Sequence, residues 1–237
     1  MIEKKVEYVH NGETFEAYMA VDGASTRPCP AIMIAHTWEG RSEFVCDKAR
    51  NLAGHGYVGF AIDLYGKGIT GSSPEENAGL MQPFLDDREL LQSRLNCALD
   101  ALREQDEVDQ TKIAAIGYCF GGMCVLDLAR IGTDIRSVVS LHGLLGSPGN
   151  TLGNKISAKV LILHGNDDPM APVDDVVAVQ REMSDAGADW QFHAYGNTMH
   201  SFTNPKADNI EMGTVYSEVA DHRSWKTMIS FLDETLA

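Results

Sequence analysis

No stretch of the 237-residue sequence approaches the run of about 18 apolar residues that a membrane span requires. The N-terminal MIEKKVEYVH has neither an apolar core nor a cleavage-site pattern, so export is not expected and the reading is cytoplasmic. Positive charge is scarce as well: 19 Lys and Arg stand against 34 Asp and Glu, a formal net charge of −15. Nucleic-acid affinity comes mainly from Lys and Arg neutralising phosphates, so neither a nucleic acid nor an acidic lipid surface is an expected partner.

Cysteine is sparse too. The five, Cys29, Cys46, Cys97, Cys119 and Cys124, are odd in number and show no C-x-x-C spacing, which argues against a disulfide framework and a zinc ribbon. Reduced thiols fit a cytosol. No H-E-x-x-H or H-x-H spacing supports a metal site built from His36, Asp63, Asp167 and His200, so no metal is expected. Repeats, low-complexity tracts and dividing linkers are absent, and one domain over residues 1–237 is expected.

What is present is an alternation. KVEYVH (5–10) and ETFEAYMAV (13–21) flank Asn11-Gly12, a strong hairpin signal. Buried-strand runs follow at AIMIAH (31–36), YVGFAIDLYG (57–66), KIAAIGY (112–118), SVVSLHG (137–143), KVLILHG (159–165) and WQFHAYG (190–196). Helical segments are expected near Ser42–His55, at Phe84–Gln105 with Leu91, Leu95, Ala98, Leu99 and Leu102 on one face, from Phe120, near Asp174–Ala186 and near His222–Leu236. Apolar strands with intervening helices imply an α/β fold: a mostly parallel sheet covered on both faces, entered through an antiparallel hairpin. Residues 66–83, GKGITGSSPEENAGLMQP, read as a long loop that either lines the site or makes a surface excursion.

The chemistry concentrates at GYCFGG (117–122), where a strand hands over to a helix. A nucleophile on so sharp a turn needs small residues two positions away on each side, and Gly117 and Gly121 supply them. A helix starting at Phe120 would aim its positive dipole end at the Cys119 sulfur and favour the thiolate, although a tight turn around a buried cysteine is the plainer alternative. Chain order weighs against that alternative. Asp168 in NDDPMAP and His200 in NTMHSF follow Cys119, each just after a strand, in the order nucleophile, acid, histidine.

GYCFGG, HGNDDPMAP and GNTMHSF together resemble the three signature stretches of the dienelactone hydrolase family, an α/β-hydrolase branch with a Cys-His-Asp triad, and DLYGKG (63–68) resembles a further landmark. The resemblance implies Cys119 as nucleophile, His200 as general base and then acid, and Asp168 as its orienter, with Asp167 the fallback for a shifted turn. It implies an oxyanion hole from the backbone N–H groups of Phe120 and, in HTWEG, of Trp38, whose side chain either walls the pocket or packs in the core. Substrate-lining candidates are His36, Thr37, Glu39, Tyr65, Arg88 and Asn204.

Two departures stand out. Thr37 occupies the position where family members commonly carry a glutamate that helps control the cysteine, with Glu39 two residues further on. Asn204 occupies the position of an arginine that holds a substrate carboxylate, and Arg88 is either a substitute or a solvated helix charge. A substrate carboxylate is therefore not expected. The implied activity is hydrolysis of activated esters or lactones of small neutral alcohols or phenols, without a cofactor, by a monomer or homodimer. A phosphotriester is the alternative substrate at the same triad, and a catalytically silent binding module is the alternative of another class.

Overall fold

The computed structural model describes residues 1–25 and 27–237. They group into two compact units, residues 1–115 and 116–237.

In the first unit, strands β1 (Ile2–His10) and β2 (Glu13–Val21) pair antiparallel from Ile2↔Val21 to His10↔Glu13. Asn11 and Gly12 close the hairpin with φ of 51° and 82°, the two positive values that a tight primed turn demands. β4 (Val58–Ala61) pairs antiparallel with β2 and parallel with β3 (Cys29–Ala35), so the order runs β1-β2-β4-β3. Helix α1 (Glu43–Gly54) packs on these strands through Val45, Ala49, Leu52 and Ala53, a set at helical spacing.

Two expectations change in this unit. The stretch 66–83 is not all loop, because helix α2 (Pro74–Asp86) begins inside it. Ser73 Oγ accepts the Glu76 N–H at 3.2 Å, while the Glu76 carboxylate accepts from Ser72 N–H and Oγ–H at 2.9 and 2.6 Å. That is a variant of the S-x-x-E capping box, with the glutamate reaching one residue further back. Nor is Phe84–Gln105 one helix. Asp87 Oδ1 accepts the Leu90 N–H at 2.9 Å and starts helix α3 (Arg88–Arg103) afresh. Leu91, Leu95, Ala98, Leu99 and Leu102 are all buried, as their spacing predicts.

Strand β5 (Val108–Tyr118) ends in the second unit. Helix α4 (Phe120–Arg130) follows, then β6 (Ser137–Leu141), β7 (Lys159–Gly165), helix α5 (Val173–Asp185) and β8 (Trp190–Tyr195). β6, β7 and β8 are parallel neighbours. Every residue of β6 and all but the first of β7 are buried, as expected of strands covered on both faces. A short ribbon, β9 (Asp208–Asn209) with β10 (Thr214–Val215), precedes helix α6 (Glu218–Thr235). That helix starts four residues before the expected His222, because Ser217 Oγ caps it by accepting the Ala220 N–H.

At the end of α4, Arg130 is fully buried and uses all five of its N–H donors. They go to Glu182 Oε1 and Oε2 (3.0 and 2.8 Å), Asp127 Oδ1 (3.2 Å) and the Leu145 and Gly146 carbonyls (2.8 and 3.1 Å). The guanidinium thus ties α4 to α5 and to the chain after β6. Among the described residues no helix is long and apolar enough to cross a membrane.

Candidate active site

Cys119 stands between β5 and α4 with φ 57° and ψ −118°, a backbone state that L-residues rarely adopt. The sharpness of that turn explains its glycines: a Cβ on Gly117 would lie 1.9 Å from the Gly121 carbonyl oxygen. The Cys119 N–H is shared between the Leu141 carbonyl and His142 Nδ1, both at 3.1 Å. α4 begins at Phe120, so its positive end faces the cysteine.

The Asp168 and His200 loops bring the two side chains together. His200 Nδ1 donates to Asp168 Oδ2 at 2.7 Å, and both side chains are essentially inaccessible to solvent. Asp168 Oδ1 accepts the Met170 N–H at 2.8 Å, which fixes the carboxylate plane. Asp167, the fallback, takes another role: its N–H donates to the Thr198 carbonyl at 2.9 Å, and its carboxylate accepts from its neighbour Asn166. The histidine loop is held in turn by the short ribbon, with His200 N–H donating to Gly213 O at 2.9 Å and Val215 N–H to His200 O at 3.0 Å.

His200 Nε2 is buried and has no hydrogen-bond partner within ordinary geometry. Burial by itself lowers this histidine's pKa, but the charge of Cys119 and the hydrogen bond to Asp168 outweigh it and push the value up to about 10. His164, at the end of β7, is the opposite case: its pKa falls, chiefly because of burial.

The remaining candidates lie in the first unit, apart from Asn204. His36 is fully buried, donates from Nδ1 to the Thr37 carbonyl at 2.6 Å and accepts the Leu64 N–H at Nε2 at 3.2 Å, so both nitrogens are committed to backbone. Burial holds its pKa down. Tyr65 stacks on Phe84, meets the His36 ring edge-on at 4.7 Å, and donates its hydroxyl hydrogen to the Trp38 carbonyl at 3.0 Å. The loop closes with Gly40 N–H on Thr37 O at 3.2 Å and Gly71 N–H on Glu39 O at 3.0 Å. Thr37, Trp38 and Glu39 are half-buried, and Arg88 is the first residue of α3. Asn204 Oδ1 accepts the Lys206 N–H at 3.0 Å, the bond of a local turn. His142 and Thr203 were not singled out for the site by sequence, since a histidine ending an apolar strand carries no local signal of its partners.

Among the described residues no group of three or more His, Cys, Asp or Glu gathers as a metal site.

The dienelactone hydrolase family model matches residues 15–236. The chain belongs to the dienelactone hydrolase family. A solved structure named m3DLH is 34% identical, with a TM-score of 0.94 over 100% of this chain and 99% of that one. A "Dienelactone Hydrolase-like Promiscuous Phospotriesterase", P91 from metagenomic libraries, is 32% identical, with a TM-score of 0.93 and the same coverage. A Yersinia pestis protein named "Putative carboxymethylenebutenolidase" is 24% identical over 234 residues, 94% of this chain and 85% of that protein. The fold is thus the α/β-hydrolase fold, and the protein is a hydrolase of ester or lactone bonds. A catalytically silent module gives way to that assignment.

Proposed function

We propose that this dienelactone hydrolase family member cleaves activated carboxylic esters and lactones through a covalent intermediate on Cys119. The observation that carries the reading is the buried His200–Asp168 pair at 2.7 Å, together with Cys119 held at φ 57° on the turn between β5 and α4. The thiolate of Cys119 attacks the carbonyl carbon, and the carbonyl oxygen becomes an oxyanion. The N–H of Phe120 at the head of α4 is one donor to that oxyanion; losing such a donor typically costs about 2.7–4 kcal/mol. Trp38 N–H is assigned as the second donor on the resemblance of HTWEG, and Tyr65 fixes the Trp38 carbonyl.

The tetrahedral intermediate collapses, the C–O bond breaks, and the His200 imidazolium gives its proton to the departing alkoxide. Neutral His200 then takes a proton from water, whose hydroxide attacks the thioester and releases the acid. The C–S bond breaks as the acid leaves, so the thiolate is restored beside a His200 that already carries the proton taken from water, with no cofactor consumed. In this reading the whole chain works as one domain, and its five cysteines, none of them in a disulfide, suit the cytoplasm.

Hydrolysis of a short-chain aryl ester by the wild type, Cys119→Ser and Cys119→Ala, with mass spectrometry of the stalled enzyme, tests the proposal. Loss of activity by at least about 1000-fold in the Ala variant, with an acyl adduct on Cys119 in the wild type, is expected. Undiminished activity in the Ala variant removes Cys119 as nucleophile.

Aryl phosphotriesters are the second reading, motivated by the likeness to P91 and by Asn204, whose amide serves a turn where a carboxylate-binding arginine would otherwise stand. A tetrahedral neutral phosphoryl group would place its oxygen in the same oxyanion hole. Parallel assays on an aryl ester and an aryl phosphotriester decide it, since phosphotriester turnover no better than that of Cys119→Ala eliminates the idea.

A further inference from the structure

We propose that His142 is a positioning residue for the nucleophile, locking the Cys119 turn to the His200 loop through one fixed neutral tautomer. The inference rests on the reading of Cys119 as nucleophile. His142 directly follows β6, is buried, and has φ 38°, a left-handed value unusual for a non-glycine residue.

Its tautomer follows from its neighbours. A backbone N–H can only donate, so the contact from Cys119 N to His142 Nδ1 at 3.1 Å makes Nδ1 the acceptor. The ring hydrogen therefore sits on Nε2, which donates to Thr203 Oγ1 at 2.8 Å. Thr203 is three residues beyond His200, so a single ring joins the strained peptide of the nucleophile to the loop of the base. The same ring meets His200 edge-on at 5.2 Å and Phe202 at 5.0 Å, leaving it little room to turn.

The Cys119 φ and ψ are of the kind that costs about 1–3 kcal/mol and persists only where surrounding bonds over-determine it. The Leu141 carbonyl alone supplies one acceptor to the Cys119 N–H, and His142 supplies a second from the side of His200. Without it the cysteine peptide can relax, and the sulfur drifts from the imidazolium that stabilises its charge. The consequence is specific: acylation slows and thiolate reactivity falls, while the affinity for a neutral ester changes little.

The test compares His142→Leu, His142→Asn and Thr203→Val. Asparagine puts an amide oxygen near the position of Nδ1 and so preserves the acceptor, whereas leucine removes both bonds. The readouts are kcat and KM on an aryl ester and the pH profile of Cys119 alkylation by iodoacetamide. For His142→Leu, kcat and alkylation at neutral pH should each fall about 10- to 100-fold with KM within about twofold. His142→Asn should recover most of the loss, and Thr203→Val should fall between them.

A Leu variant with a wild-type alkylation profile and kcat overturns the proposal, as does an Asn variant no better than the Leu variant. If His142→Leu does not fold, the Asn and Val variants decide, since a wild-type alkylation profile and kcat in Thr203→Val break the proposed link to the histidine loop. Failure of the Cys119 reading looks different: Cys119→Ala would keep its ester hydrolysis, whatever the His142 variants do.

Discussion

The ring of Pro169 fills the space beside Gly213: a Cβ on residue 213 would lie 2.2 Å from Pro169 Cγ and 2.6 Å from Cδ. Pro169 follows Asp168, and the Gly213 carbonyl holds the His200 N–H, so the loops of acid and histidine meet backbone to ring. Gly213 also has φ 68°, where a side chain is strained. Gly213→Ala should push the loops apart, lengthen the 2.7 Å Asp168–His200 bond and lower kcat about 10- to 100-fold. Ester kinetics, with circular dichroism to show that the variant is folded, check it.

Asp168→Asn keeps the shape of the orienter and removes its charge. The amide oxygen or the amide NH2 must then face His200 Nδ1, and whenever the NH2 does, the imidazole hydrogen is driven to Nε2. A neutral ring with its hydrogen on Nε2 cannot take the proton it must accept from water. A fall in kcat of about 10³–10⁴ with a small change in KM is expected from steady-state ester hydrolysis.

The hairpin at Asn11-Gly12, the buried parallel strands and the elbow at Cys119 are all legible in sequence because each depends on local chemistry: turn residues, apolar runs and glycines at fixed offsets. The Asp168–His200 pairing is legible only through chain order, since 32 residues separate them. Helix α2 is harder to see because its signal is a Ser73–Glu76 cap inside a polar tract that otherwise looks like loop. The break at Asp87 is hidden by the unbroken 3.6 period of the leucines beyond it. His142 is the clearest case of what sequence withholds: its two partners lie 23 and 61 residues away, and no pattern around LHG announces them.

Arg130 supports a stability prediction. Arg130→Met would leave Asp127, wholly buried and bonded to that guanidinium, without its counter-charge. Removing one partner of a buried pair typically costs about 3–5 kcal/mol, because the remaining charge stays desolvated. Urea unfolding followed by tryptophan fluorescence should show the midpoint falling with an unchanged slope. The double variant Arg130→Met with Asp127→Leu should regain part of the loss.

The proton on His200 yields the last prediction. Burial alone would lower its pKa, yet the charge of Cys119 and the bond to Asp168 hold it at about 10 against an ordinary 6.5. For this group taken by itself, a folded pKa above the unfolded one stabilises the fold fully below about 6.5, and the contribution is lost as pH rises through about 10. Cys119→Ala deletes the largest raising influence and leaves burial opposed only by Asp168, so the His200 pKa must fall. Imidazole proton resonances followed from pH 5 to 11 should show His200 titrating near 10 in the wild type and at least about one unit lower in the Ala variant. Equal titration in the two proteins would mean that Cys119 carries no charge beside His200, and the imidazolium–thiolate pair would have to be given up.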